Sequence, residues 1–280
     1  EDWSTTDTHP TYTNQVGVVA RALPLVDTKI PSKDYIGDGS YPGARYSAEY
    51  LKNLPLSYTP KNYYYAPDRT FMVEISEISG IPDYKTAAIA EWAWAKANVP
   101  YFNTPYAMVD YFMTNRCSSV FATWGYGLMT WDLAGYAAAC EKVGDHAYAK
   151  AILDYLVTDT DYTNPPVGTS PAFWNDTARG YNKSVINNLI QRWDDNTPTS
   201  TSAEKEKFFI GGAGHMIWAM NIVDPSAYAP WIDALKTRLI ASQDNVPASP
   251  TYGAYLYDKI GITGVGIQDQ GYAMMGIRNI

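Results

Sequence analysis

The sequence predicts an all-α protein, and three features carry that prediction. Four stretches, opening near residues 71, 126, 214 and 272, place apolar residues at helical spacing. The first three are each followed by a short turn containing Asp and then by an amphipathic return stretch, the rhythm of helical hairpins repeated along a chain. Gly80 with Pro82, Pro100, Gly144 and Asp224-Pro225 fall at the ends of these stretches and supply their stops.

Taken in order, residues 1–66 hold Pro10, Pro24, Pro31, Pro42, Pro55 and Pro60 and the turn-rich run Asp34 to Ser40. Prolines that dense interrupt helices, so this part is expected as a loop-rich arm wrapped on the body, with short helices near 14–22 and 43–53. Residues 71–78 form the first opening helix, stopped by Gly80 and Pro82. Asp83 is expected to cap its return, Tyr84 to Asn98, which Pro100 closes. Gly125 to Cys140 and His146 to Val157 make the second hairpin about Gly144 and Asp145. The third runs from Gly214, turns at Asp224-Pro225 and returns from Ala227 to Ala241; Gly271 to Ile277 opens a fourth. An inserted segment, 158–207, carries Pro- and Thr-rich loops around a short helix at 180–194, and loops so long are usually functional. The expected domains are therefore the arm, 1–66, and a hairpin body, 67–280.

Composition narrows function. The chain has 280 residues, a net charge of −8, 18% charged and 14% aromatic residues, which excludes an extended disordered polymer. An acidic balance without basic clusters argues against nucleic acid. The apolar runs are far shorter than the ~20 residues of a membrane span. Plentiful Tyr, Thr, Asn, Ser and Pro with few Lys and Arg, and sequons at Asn175 and Asn182, point to secretion, and the first residue, Glu1, fits either a processed or a trimmed chain. Cys117 and Cys140 either close a disulfide loop or stand as two buried thiols.

The run Gly125-Tyr126-Gly127-Leu128-Met129, continued by Glu141-Lys142-Val143-Gly144-Asp145-His146-Ala147-Tyr148-Ala149-Lys150-Ala151, resembles one repeat of an α/α toroid. Helical-barrel glycoside hydrolases, polysaccharide lyases and terpene-cyclase-like folds share that architecture. With three complete hairpins and a terminal half, the resemblance implies a partial or open toroid over 67–280, its opening helices lining a cavity. It carries over no catalytic residue.

If the opening helices begin at one mouth, the groups gathered there are Asp68, Arg69, Trp124, Tyr126, His215, Asp269 and Gln270. Helix N-termini present free N–H groups that favour anions and sugar hydroxyls. Asp269 reads either as an N-cap or as a catalytic carboxylate. His215, the sole His on an expected opening helix, reads either as a core-edge imidazole or as a general base. Arg192, Trp193 and Asp194 end the helix of the inserted segment. There a ring to stack on a sugar lies beside acids to hold hydroxyls, although the adjacent Asp194 and Asp195 cannot both face one bond. A glycosidase pair would join Asp194 to Asp269 or Asp132. Glu74 and Glu77, one turn apart, are another pair or else a solvated face.

The function expected is a secreted carbohydrate-active enzyme working in an aromatic-lined groove on a polysaccharide or oligosaccharide. A glycosidase would use Asp194 and Asp269. A lyase would use His215 or Tyr126 as base, with Arg69 or Arg192 neutralising a uronate; Trp124, Trp193 and Gln270 would bind substrate. The alternative is a non-catalytic glycan-binding or self-assembling surface protein, which explains the Tyr excess and low charge without any motif. No zinc spacing, phosphate-binding loop or serine-hydrolase elbow occurs, and no cofactor is expected. Two Asp-rich turns, Asp34 to Ser40 and Asp159 to Asn164, offer calcium-type oxygen ligands without completing a calcium loop.

Overall fold

In the computed structural model the described residues are 43–56, 65–111, 125–157, 210–256 and 267–278. Among them regular structure is helical: α1 Gly43–Lys52, α2 Tyr65–Ser79, α3 Pro82–Asn98, α4 Pro105–Tyr111, α5 Gly125–Lys142, α6 His146–Val157, α7 Ile210–Val223, α8 Ala229–Ala241 and α9 Ile267–Arg278. A single 3-10 turn spans Pro100–Phe102, and one isolated antiparallel bridge joins Gln243 to Tyr255. The all-α expectation holds for these residues. The helix expected at 14–22, the inserted segment 158–207 and most of the arm lie outside them.

Two compact units divide the chain: Glu1–Asn103 with Ala139–His146, and Thr104–Ala138 with Ala147–Ile280. In the first, α1 and α3 both pack on α2. The core includes Leu51, Phe71, Met72, Ile75, Ala88, Trp92 and Phe102, spaced so that each helix turns an apolar stripe inward. Gly80, at φ +69°, ends α2 in the left-handed conformation that glycine adopts without a Cβ penalty. Helix α3 starts at Pro82, two residues before its expected first residue. Proline suits the first position because its missing N–H would have had no partner there. Asp83 therefore lies in the first turn and is not the cap, which is Ile81.

The turn after α5 is a complete Schellman motif. Gly144, at φ +88°, donates its N–H to the Glu141 carbonyl at 2.9 Å, and Asp145 donates to Cys140 O at 2.8 Å. That turn is riveted to α3: Trp92 Nε1 donates to Asp145 Oδ2 at 2.8 Å, and Lys96 Nζ bonds the same oxygen. The Lys96 ammonium also lies 5.6 Å from the Trp92 ring centroid.

In the second unit α7 is buried almost all round, from Ile210 to Met220 without a break. It packs on α9 and α8. Asp224 makes the expected turn, its carboxylate accepting from Ala227 N–H at 3.0 Å, and this tight turn delays α8 to Ala229. A second rivet ties α6 to that turn. The Tyr228 hydroxyl donates to Asp154 Oδ1 at 2.7 Å; Lys150 Nζ bonds Asp154 Oδ1 at 3.0 Å and lies 5.1 Å from the Tyr228 ring centroid.

Candidate functional site

The second unit assembles the group with most chemical content, at the crossing of α7 and α9. Both helices start four residues earlier than their glycines suggested, at Ile210 and Ile267. Those glycines are helix-interior residues with a packing task. A Cβ on Gly276 would sit 2.5 Å from the Gly214 carbonyl oxygen, and one on Gly214 would sit 2.6 Å from the Ala273 Cα. Only two glycines let the backbones approach so closely.

This approach puts His215 against α9. Its ring is 4.5 Å from that of Tyr272 and stacks on Trp218 at 5.5 Å and 22°. His215 is 3% exposed. It therefore lies inside its helix among aromatic rings, not at a helix mouth as expected, because α7 begins a full turn before it.

Gln270, in the first turn of α9, spends its amide on a backbone. Its Oε1 accepts from Tyr255 N–H at 2.8 Å and its Nε2 donates to Tyr255 O at 2.7 Å. One side chain thus pairs with a residue as a neighbouring strand would. Asp269, beside it, is the third residue of α9 and not the residue before the helix, so the cap reading falls to the earlier start. An acid in a first turn is favoured by the helix dipole.

The Tyr255 segment closes a loop, 242–256, with dense internal bonding. Asp244 N–H donates to Ala254 O at 2.8 Å, and Gly253 N–H returns to Asp244 O at 2.7 Å. The Asp244 carboxylate accepts from Val246 N–H at 3.0 Å and Thr251 Oγ1 at 2.7 Å. The Ser249 and Thr251 hydroxyls, with that N–H, hold its carboxyl below the usual carboxylate range.

The remaining candidates separate. Arg69 belongs to the first unit and is 1% exposed, its Nε 3.9 Å from Glu91 Oε2 and its guanidinium carbon 6.0 Å from the Trp92 ring centroid. Glu74 and Glu77 meet Lys142 at 3.8 Å and Lys85 at 3.7 Å, as a solvated face does. Asp132 is buried on α5, and Tyr126 is that helix's second residue. Cys140 is a buried free thiol. Trp124, Arg192, Trp193, Asp194, Cys117, Asn175, Asn182 and both Asp-rich turns lie outside the described residues.

Among the described residues no group of three or more His, Cys, Asp or Glu is placed to hold a metal ion. No described helix is long and apolar enough to cross a membrane. Sequence reasoning missed Tyr255 and Tyr272. The small-residue run Gly211 to Gly214 and the spaced pair Gly271 and Gly276 were the available signal that two helices meet there. No protein-family description, curated protein or solved structure matches the chain.

Proposed function

We propose that the chain is a secreted glycosidase acting on a neutral glycan, its 67–280 body an open array of helical hairpins of α/α-toroid type and its 1–66 segment a covering arm. The observation that carries this reading is the start of α9. Asp269 stands in the first turn, and the next residue in sequence, Gln270, fixes the Tyr255 backbone of a tyrosine-bearing loop. Asp269 and Asp194 supply the two carboxyls. One, protonated, gives its proton to the glycosidic oxygen as the C–O bond breaks; the other attacks the anomeric carbon or takes a proton from the water that does.

Two points favour a glycosidase over a lyase. A lyase needs a cation on the uronate carboxylate, and of the two arginines expected for it, Arg69 and Arg192, the first is buried with Glu91. The net charge of −8 also opposes a polyanionic substrate. The test is a panel of neutral and acidic polysaccharides, read by new reducing ends and by absorbance of an unsaturated product. Reducing ends from a neutral polymer, lost in Asp269→Asn, support the reading. Unsaturated product from a polyuronate, or silence on every polymer, overturns it.

A second reading, a non-catalytic glycan-binding or self-assembling protein, is favoured by the internal employment of His215, Arg69 and Gln270. Binding without turnover, or a sedimentation coefficient above that of a monomer, selects it.

A further inference from the structure

We propose that the loop 242–256 is a sugar-stacking platform, with Tyr252 and Tyr255 presenting ring faces to the pyranose units of a neutral polysaccharide. This inference rests on the carbohydrate reading above but not on catalysis. Tyr252 and Val246 are each 60% exposed, and Tyr255 is half-buried. Single exposed apolar side chains are ordinary on a protein surface, but the backbone that carries these is tied at both ends and across its middle.

Besides the bonds from Asp244 and Gln270, Gln243 Nε2 donates to Gly253 O at 2.9 Å, and Leu256 N–H donates to Ser242 O at 2.9 Å. Gly253, at φ +85°, allows the reversal that follows Tyr252. A ring on backbone already ordered loses little entropy when it binds, and tyrosine itself has few rotamers to lose.

The charge pattern selects the partner. From Asn245 to Leu256 no residue is charged, and the carboxylate that opens the loop, Asp244, is spent on Val246 N–H and Thr251. Nucleic acid and polyuronates would find no cation here; a neutral sugar face, apolar C–H on one side and hydroxyls around the rim, meets a ring beside Ser and Thr.

The test is affinity electrophoresis of the whole chain in gels carrying soluble neutral polysaccharides or a polyuronate, with Tyr252→Ala, Tyr255→Ala and Tyr252→Phe. The expected result is retardation by a neutral polymer, weakened about tenfold in Tyr252→Ala and kept in Tyr252→Phe. Circular dichroism melts show whether each variant is folded, and Tyr252, being exposed, leaves the core untouched. Wild-type retardation that survives Tyr252→Ala and Tyr255→Ala overturns the platform, as does no retardation by any neutral polymer. Association of the chain with itself, abolished by Tyr252→Ala in sedimentation, overturns it in favour of a protein interface. Reducing-end release is read separately: loss in Asp269→Asn with retardation intact keeps both readings, whereas Tyr252-dependent retardation without hydrolysis keeps the platform and removes the glycosidase.

Discussion

Replacing Gly214 by Ala tests whether the α7–α9 crossing is set by backbone contact. The new Cβ would lie 2.6 Å from the Ala273 Cα and nearer still to the Tyr272 carbonyl. Carbon atoms pack at about 3.5–4.0 Å, so the helices must part by roughly 1 Å. Both obstacles are main-chain atoms, and no rotamer change removes them. Overpacking costs about 1–3 kcal/mol, and two backbone obstacles place this site at about 3. Alanine returns about 1 kcal/mol of helix propensity, leaving a net loss of about 2. In a unit of this size that lowers the melting midpoint by about 4–8 °C. Gly271→Ala is the control: it lies on α9, gains the same propensity, and has nothing within 4 Å of its added Cβ. It should hold or raise the midpoint. Gly214→Ala with Gly276→Ala should cost less than the sum of the two, since one parting of the helices relieves both contacts. Melting followed by far-ultraviolet circular dichroism reads wild type, the three single variants and the double variant. A Gly214→Ala midpoint at or above wild type would refute the reasoning.

Asp145→Ala removes the acceptor shared by Trp92 and Lys96 and should cost about 2 kcal/mol in urea unfolding; Asp145→Asn, which keeps an oxygen for Trp92, should cost less. Tyr228→Phe removes the hydroxyl's bond to Asp154 and its longer contacts with the Lys150 carbonyl and ammonium, and should cost about 1 kcal/mol in the same assay. The Asp244 carboxyl is held below its unfolded value, so its contribution is present above the ordinary carboxylate range and is lost as pH falls through the folded value. Amide protection at Val246 should therefore persist on acidification and fail only below about pH 4. Burial, with the Asp145 charge, pushes the Cys140 thiol well up; iodoacetamide at mildly alkaline pH should leave Cys140 unlabelled by peptide mapping until urea unfolds the first unit.

What the sequence made legible was set by local rules. His146–Val157 was readable to the residue because a positive-φ glycine and an Asp bracket its start. The errors at α7 and α9 have one cause. Glycine inside a helix is locally unfavourable, so Gly214 and Gly271 were read as starts, whereas at Gly214 the missing Cβ is what lets the crossing form. His215 was singled out on residue type and helix membership, but its partner Tyr272 comes from a helix distant in sequence, and no spacing rule reaches that far. Gln270 was expected to face a ligand; pairing with Tyr255 depends on where a loop returns, which composition does not encode. Arg69 misled for the opposite reason. A cation near a helix start is usually exposed, and only the packing of α2 on α3 reveals Glu91 and Trp92 around it.

The two rivets are built from the same three kinds of group, one set in each unit. Each unit has a lysine and an aromatic donor on one carboxylate, with the ammonium beside the aromatic ring: Lys96, Trp92 and Asp145 in one, Lys150, Tyr228 and Asp154 in the other. The roles are exchanged between positions. In the first the acid is on the turn and the aromatic donor on the return helix; in the second the acid is on the helix and the aromatic on the turn. In both, residues four apart on a return helix hold the residue just before the next return helix, because positions four apart share a face. A carboxylate accepting from an ammonium and a ring donor is satisfied whichever element supplies each part. A correspondence of this kind is found by asking which groups complete one another rather than by matching residue types position by position.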